Sequence, residues 1–302
     1  MTDKKYKACI SILSSRTKCL PLCVKSLWEK WNYKYNYPVY IYYYDDIYDN
    51  EYYRKKFIEF TKSDVRFISI PYETPEHIPE EELFYNRSDL WYSRTQFPIQ
   101  RKGFLHMCHF YNNPYGHPNT EFEKYDYFLC LDDETAFVEE IPYDFFQVME
   151  EEEAKAAAIK IYDPKLRPPH QGNLDTRVGM FEFAMNYLEK YQIEPKADFI
   201  AKLFTEEDPE KYFHDNLFMA CSWAFDTKMF RSPEWEQWSH EVNTSGGIYK
   251  YRWSDCELIV LFLLIHHGRL PHDFKTADDG YYDLGALRHI QDYAPGVRDN
   301  TR

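Results

Sequence analysis

Three consecutive carboxylates follow a buried-strand pattern near the middle of the chain, in the segment YFLCLDDETAFV at 127–138. The first five residues are almost wholly apolar, and Asp132, Asp133 and Glu134 come directly after them. Adjacent carboxylates repel one another, so a fold gains from them only where something positive lies beside them. The segment is therefore either a solvated turn or a site that holds a cation.

Asp132 and Glu134 alternate on an extended backbone, so both side chains can face the same side. Mg²⁺ and Mn²⁺ are usually held by one or two carboxylates together with substrate phosphates. An apolar strand followed by acid-x-acid suits a metal-dependent nucleotide-sugar transferase, because the ion offsets charge that develops on the leaving diphosphate. The phosphatase motif hhhDxDxT fits less well, since its third position is Glu here and the motif usually follows a first strand. An ordinary exposed turn remains open, since the chain contains 50 Asp and Glu.

Alternating strands and helices would position these acids. Apolar runs predict strands at 8–13, 38–46, 65–71, 126–131 and 156–163. Helical spacing predicts helices at 20–31, 50–61, 98–111, 143–155, 178–190, 232–241 and 255–267. This order predicts a single α/β domain with a mostly parallel sheet and helices on both faces. Asp45 and Asp163 also close predicted strands, and ligands of open α/β sheets bind beyond the carboxyl ends of the strands.

The composition limits the class of partner and compartment. The net charge of −14 and the pI near 5.3 argue against nucleic acid or an anionic membrane as main partner. Seven cysteines without a CxxC pair predict reduced thiols. The N-terminus does not resemble a signal peptide, and no apolar run reaches the roughly 18 residues of a membrane span. We expect a cytoplasmic protein without a membrane span, or a secretory-lumen protein if an anchor lies outside this sequence.

The segment YDYFLCLDDETAFVEEIPYDFFQVM at 125–149 resembles the yeast-type α-1,2-mannosyltransferases, glycosyltransferase family 15. In that family a similar strand, YDYYWRxEPD, is followed by an apolar stretch and I-x-Y-D-x-F. Further blocks resemble the family in the same order, among them LHMCHF, SGGIYKYRWSDCELI and ADDGYYDLG. The blocks lie at 8–13, 34–46, 105–110, 216–232, 245–259 and 278–286. Together they cover about residues 6 to 286.

The resemblance implies a GT-A fold, a GDP- or UDP-sugar donor, a glycan acceptor, Mn²⁺ (or Mg²⁺) and retention of anomeric configuration. It divides the chain into a nucleotide-binding part to about residue 125, a metal and acceptor part to 286, and a tail. Asp283 takes the place of the family's metal-binding His, and a carboxylate is also an acceptable ligand for these ions. The implied metal ligands are Asp132, Glu134, Asp163 and Asp283.

The implied catalytic residues depart from the family pattern. The family's catalytic-centre Glu, in S-N-F-E, aligns with Phe225, and sliding by one residue supplies Asp226 instead. Asp226 would then stabilise an oxocarbenium-like centre or act as nucleophile, or alternatively only cap the next turn. Asp255, which matches the Asp of the family's WGD, would accept a hydrogen bond from an acceptor hydroxyl, or only place charge at a helix N-terminus. The family's Tyr before MCRF is Phe104 here.

Polar residues beyond the first two strands and on the helix at 98–111 are candidates for the nucleotide sugar. Asp45 would hydrogen-bond ribose hydroxyls, and the basic residues would contact the diphosphate. Ordinary turn, packing and surface roles remain open for all of them. The predicted nucleotide-sugar ligands are Ser14, Arg16, Asp45, Arg101, His109 and Asp133.

The sequence thus predicts a metal-dependent glycosyltransferase that moves a hexose, mannose-like by resemblance, to a glycan hydroxyl. The alternative is a sugar- or nucleotide-binding protein that keeps the fold without turnover. The replaced Glu and Tyr motivate that alternative.

Overall fold

The chain forms a mixed seven-stranded sheet and a small two-stranded sheet in a computed structural model. The structure describes residues 6–15, 17–44, 48–59, 61–71, 73–87, 98–162, 176–274 and 287–289. The strands are β1 (Ala8–Ser14), β2 (Val39–Tyr43), β3 (Val65–Ser69), β4 (Tyr127–Asp132), β5 (Thr135–Phe137), β6 (Ala156–Tyr162), β7 (Met219–Asp226), β8 (His272–Asp273) and β9 (Leu287–His289). The large sheet has the order β3-β2-β1-β4-β7-β6-β8, and β5 pairs with β9.

Helices occupy most of the predicted helical segments. They are α1 (Leu20–Leu27), α2 (Tyr33–Tyr35), α3 (Glu51–Ile58), α4 (Pro98–Asn112), α5 (Phe145–Glu151), α6 (Met180–Lys190), α7 (Asp198–Lys202), α8 (Pro209–Asn216), α9 (Thr227–Phe230), α10 (Pro233–Ser245), α11 (Gly247–Tyr251) and α12 (Asp255–Phe262). Single π-helical turns, Trp28–Asn32 and Leu263–His267, extend α1 and α12. Short 3₁₀ turns lie at Glu80–Glu82, Phe84–Asn86 and Phe122–Lys124. No helix within the described ranges is both long and apolar enough to cross a bilayer.

The central strands are buried on both faces, as their nearly continuous apolar sequences predict. Alternate residues of β2 point to opposite faces, with Tyr40 and Tyr42 in one hydrophobic cluster and Ile41 and Tyr43 in the other. Helices α4, α6, α10 and α12 contribute to the first cluster, and α1 and α5 contribute to the second. The prediction of an α/β sheet with helices on both faces is therefore confirmed.

Strand β7 is the main element that the sequence patterns did not predict. It pairs antiparallel to both β4 and β6, so β6 runs parallel to β4. In the described ladder the last β4–β7 pair is Leu129 with Ala224. Two residues further back along β7, Ser222 adopts a left-handed φ of 57°. The sheet therefore opens between β4 and β7 toward the carboxyl end of β4.

Candidate functional site

The candidate site lies where β1 and β4 end side by side. The chain builds β1, β2 and β3 outward in one direction and then returns to place β4 on the other side of β1. Such a reversal is the topological switch point at which open α/β sheets bind ligands. Leu13 pairs with Asp132, so Ser14 and the acidic triplet meet at this edge.

Asp133 connects the two strand ends through its buried carboxylate. Its Oδ2 accepts hydrogen bonds from the Ser14 hydroxyl at 2.9 Å and from the Ser15 N–H at 2.9 Å. The Ser14 Oγ lies 2.7 Å from the Tyr48 hydroxyl, which thereby joins the segment after β2 to the same network. Ser14 and Asp133 are only 1% and 3% exposed. This geometry corrects their predicted role, since both hold the edge together instead of presenting polar atoms to a nucleotide.

Asp132 and Glu134 keep partly exposed side chains at the same edge. The Cys23 thiol, on α1, lies 3.7 Å from the Asp132 carbonyl oxygen and donates to it. Two carboxylates at one strand end fit the usual way of binding Mg²⁺ or Mn²⁺ through few protein ligands and phosphate oxygens. The part of the chain that the structure describes contains no cluster of three or more metal-ligating side chains.

Four predicted site residues lie outside the described residues, namely Arg16, Asp45, Asp163 and Asp283.

Asp255 reaches the site from the N-terminus of α12. The Ser254 hydroxyl caps this helix by accepting from the Cys256 N–H at 3.2 Å. Asp255 is 3% exposed, and burial, followed by the nearby charge of Asp132, raises its pKa to about 7. Its Oδ1 has no hydrogen-bond partner of normal geometry among the described residues, and the Cys108 thiol lies near the carboxylate. The structure therefore brings Asp255 and Asp132 together, as the predicted site requires.

A buried ion pair that the sequence analysis did not identify holds the start of α12. The Arg177 Nε lies 2.6 Å from Oε1 of Glu257, and both side chains are 3% exposed. Arg177 also donates to the carbonyl oxygens of His214 at 2.6 Å and Leu217 at 3.3 Å. It thereby joins the end of α8 to the first turn of the helix that carries Asp255. No sequence signal singled out Arg177, because its partners lie 37 to 80 positions away.

Asp226 lies at the opposite end of the sheet from the acidic triplet. It pairs with Tyr127, the first residue of β4, about five residues or roughly 16 Å from Asp132. Its carboxylate caps α9 by accepting from the Lys228 N–H at 2.9 Å and pairs with the Lys155 ammonium at 3.0 Å. The structure thus corrects the predicted catalytic role and supports the alternative of a cap.

Phe225, which the resemblance aligns with the family's catalytic-centre Glu, packs among aromatic side chains. Phe225 is fully buried, and its ring centroid lies 5.2 Å from Phe128 and 5.3 Å from Trp223. The Phe230 ring, at 5.0 Å, completes the packing. No carboxylate therefore enters the site from this strand position.

The described contacts do not place the predicted diphosphate ligands of α4, Arg101 and His109, at the edge of the sheet. The side chain of Arg101 lies outside the described part of the structure. The His109 ring packs 5.1 Å from His117 and 5.6 Å from Tyr249, measured between ring centroids. Burial lowers the pKa of His109 to about 4, so its imidazole is neutral near pH 7. A neutral imidazole offers no positive charge to a diphosphate but still donates one N–H, so the diphosphate contact of His109 stays a prediction.

Comparison with known families identifies related sequences across most of the chain. A family model described as glycolipid 2-alpha-mannosyltransferase matches residues 1–275. The probable mannosyltransferase KTR2 of Saccharomyces cerevisiae is 24% identical over 226 residues, which are 67% of this chain and 51% of the relative. The chain thus spans about half the length of that curated relative.

Solved structures show the same fold at low sequence identity. Core-mannan synthase A (CmsA/Ktr4) from Aspergillus fumigatus, in its Mn/GDP form, has a TM-score of 0.69 at 18% identity, covering 88% of this chain and 71% of that chain. Ktr4p from S. cerevisiae in complex with GDP has a TM-score of 0.69 at 19% identity, covering 89% and 68%. The predicted GT-A fold is confirmed by these neighbours.

Proposed function

Because this chain belongs to glycosyltransferase family 15, the glycolipid 2-alpha-mannosyltransferases, we propose that it transfers a mannose-like hexose from a nucleoside-diphosphate sugar to a glycan hydroxyl. The observation that carries this proposal is that the buried Asp255 lies near Asp132 at the β1–β4 switch point, with Glu134 two residues further along the chain. The Mn/GDP and GDP forms of the neighbouring structures support GDP as the nucleotide and Mn²⁺, or Mg²⁺, as the ion.

Asp132 and Glu134 would hold the divalent ion beside the diphosphate of the donor. When bound, the ion supplies positive charge that offsets the charge of the leaving diphosphate. The buried Asp133 keeps both neighbours at the edge, because its own carboxylate is bonded to the end of β1. The Ser15 N–H is held toward Asp133 by the same contact, which fixes the backbone beside the proposed diphosphate position.

Asp255 would receive the acceptor hydroxyl. With a pKa of about 7, its carboxylate is ionised in a substantial fraction of molecules at neutral pH, and its Oδ1 would accept the hydroxyl proton. The Arg177–Glu257 pair holds the helix turn that presents this carboxylate. The family resemblance is the basis for proposing that the anomeric configuration is retained. Because Asp226, the expected protein nucleophile, lies at the other end of the sheet, retention would require the acceptor hydroxyl to attack the anomeric carbon from the face that the diphosphate leaves.

Transfer and metal dependence can be tested separately. We expect GDP to raise the melting temperature with Mn²⁺ present more than either ligand alone, because a ligand that binds only the folded state stabilises it by mass action. GDP-mannose with a mannoside acceptor should yield a disaccharide whose anomeric configuration is read by NMR. Glu134→Ala should abolish the metal-linked shift and the transfer. Glu140→Ala, on an exposed carboxylate outside the site, is the control. Full activity of Glu134→Ala would refute the metal assignment.

A protein that binds the nucleotide sugar without turnover is the second candidate. The aromatic packing around Phe225, where the family has its Glu, favours it. This candidate predicts metal-linked binding of GDP and GDP-mannose, yet neither transfer nor hydrolysis of the donor. Measuring GDP release together with binding in one sample discriminates the two functions.

A further inference from the structure

The opening between β4 and β7 is bordered by Asp255 and by two further side chains, Tyr111 and Trp223, to which the proposed function gives no role. Beyond the Leu129–Ala224 pair, β4 continues to pair with β1 through Asp132. On the other side, β7 adopts the left-handed conformation at Ser222. A non-glycine residue is strained there and keeps that conformation only where its surroundings impose it. We call this opening the β4–β7 fork.

Three buried polar side-chain atoms on the elements that border the fork lack hydrogen-bond partners of normal geometry in the described residues. They are the Tyr111 hydroxyl, the Trp223 Nε1 and the Asp255 Oδ1. Their side chains are 5%, 3% and 3% exposed, respectively. Folded proteins satisfy most buried polar atoms, so three unsatisfied atoms on elements that border one opening indicate a place for a ligand or for water.

Helix α12 packs against both α4 and β7, which brings the three elements together beside the fork. Burial and the charges of Cys130, Asp132 and Asp255 raise the pKa of the Tyr111 phenol, so this hydroxyl lies near all three groups. The hydroxyl is beside the Leu13 backbone without forming a hydrogen bond of normal geometry.

Trp223 belongs to the same cluster by strand register. It is the next β7 residue beyond the last pair, and its ring stacks 5.3 Å from Phe225. Phe225 in turn packs 5.2 Å from Phe128, on the face of β4 that also carries Cys130. Trp223 therefore lies on the side of the sheet from which Tyr111 and Asp255 approach.

The combination of groups selects a hydroxyl as ligand. Trp223 Nε1–H only donates, the Asp255 carboxylate accepts when ionised, and the Tyr111 hydroxyl does either. A sugar hydroxyl both donates and accepts, so it satisfies such a set, whereas a phosphate would be repelled by the Asp255 charge. A cation is not favoured either, because the Trp223 N–H and the Tyr111 O–H are hydrogen-bond donors.

We propose that the β4–β7 fork is a binding site for a hexose hydroxyl of the substrate and that Tyr111, Trp223 and Asp255 line it. This inference rests on the proposed function, since it concerns the sugar that the site would handle. The same chemistry is found in the hexose of the donor and in the acceptor sugar. The experiment must therefore distinguish these two sources.

Tyr111→Phe is the primary variant, because it removes one oxygen and preserves the ring. Tyr115→Phe is its matched control, since the Tyr115 hydroxyl is also buried without a partner of normal geometry, and its ring packs near Phe122 and Phe230. Trp223→Phe is the second variant. Its control is Trp238→Phe, because the Trp238 Nε1 also lacks a partner in the described residues.

Affinities for GDP, GDP-mannose and methyl α-mannoside, each with Mn²⁺, should be measured by calorimetry. We expect Tyr111→Phe and Trp223→Phe to leave GDP affinity unchanged and to weaken a sugar-bearing ligand roughly 3- to 10-fold, the effect of one hydrogen bond. Weaker GDP-mannose alone assigns the hydroxyl to the donor, and weaker methyl α-mannoside assigns it to the acceptor. Both control variants should bind as the parent does.

Two results would refute a hydroxyl-binding site at the fork. One is unchanged sugar affinity in Tyr111→Phe with a loss of stability equal to that of Tyr115→Phe, which would mean that only water occupies the fork. The other is a parent protein that binds GDP-mannose no more tightly than GDP and does not bind methyl α-mannoside. A parent protein that binds neither GDP nor GDP-mannose would instead refute the proposed function.

Discussion

Removal of the buried Arg177 side chain tests how the start of α12 is held. In Arg177→Met the Glu257 carboxylate stays buried without its partner at 2.6 Å, and the carbonyl oxygens of His214 and Leu217 lose a donor. Breaking a buried ion pair from one side costs about 3–5 kcal/mol. For 302 residues, with an unfolding entropy of about 2 cal/mol/K per residue, this predicts a melting temperature lower by roughly 5–8 °C.

The measurement is urea unfolding followed by tryptophan fluorescence, for Arg177→Met, Glu257→Met and the double variant. The double variant should be more stable than Arg177→Met, because it removes the unpaired buried charge. Lys55→Met is the control, since its partner Glu51 and Lys55 itself are both exposed. An exposed pair one helical turn apart contributes only about 0.3–0.5 kcal/mol.

A stabilising role for the buried Arg177 is refuted if Arg177→Met loses no more free energy of unfolding than Lys55→Met. It also fails if the double variant loses the sum of the two single losses, since additivity would mean that Arg177 and Glu257 do not interact.

Three further predictions concern the site edge, acid stability and the opposite end of the sheet. Asp133→Ala should weaken binding of Mn²⁺ with GDP by about 10-fold, because the end of β1 loses its hydrogen bonds to this carboxylate. Asp133→Asn, which keeps one oxygen, should weaken that binding less. Calorimetry measures both affinities, and equal effects of the two variants would contradict a supporting role for Asp133. The pKa of His109 is about 4 when folded and about 6.5 when unfolded, so its contribution is complete above pH 6.5 and falls on acidification, by at most about 2 kcal/mol at pH 5. His109→Phe should flatten the loss of unfolding free energy between about pH 7 and 5, and an unchanged pH slope in urea titrations would exclude this role. Asp226→Ala should lower stability by about 1 kcal/mol through loss of its cap and leave GDP affinity unchanged, whereas weakened GDP binding would return Asp226 to the site.

The local sequence predicted most of the regular elements. The run 8-ACISIL-13 is almost wholly apolar, which is typical of a buried strand, and the structure places β1 at Ala8–Ser14. Helix α12 and its π turn together cover Asp255 to His267, the range that apolar composition predicted. Element ends were less accurate, since β2 ends at Tyr43, before the predicted 46. Strand β7 was missed because its small and aromatic residues favour no single period.

The acidic edge could also be anticipated, because a strand ending in acids is a local pattern. Asp132 and Glu134 lie at the carboxyl end of β4, as their positions in the sequence predicted. The role of Asp133 was not visible in the sequence, since its partner Ser14 is 119 positions away. Its neighbours alone do not reveal whether a carboxylate between two others faces solvent or the fold.

The sequence by itself determined the α/β class, the acidic strand end and the family, because these depend on local periodicity and on ordered motifs. Only the tertiary structure decided which acids meet. It placed Asp255 beside Asp132, and it placed Asp226 at the other end of the sheet, although Asp132 and Asp226 both follow apolar runs in the sequence. The physical reason is strand direction: β7 is antiparallel to β4, so its carboxyl end lies at the amino end of β4.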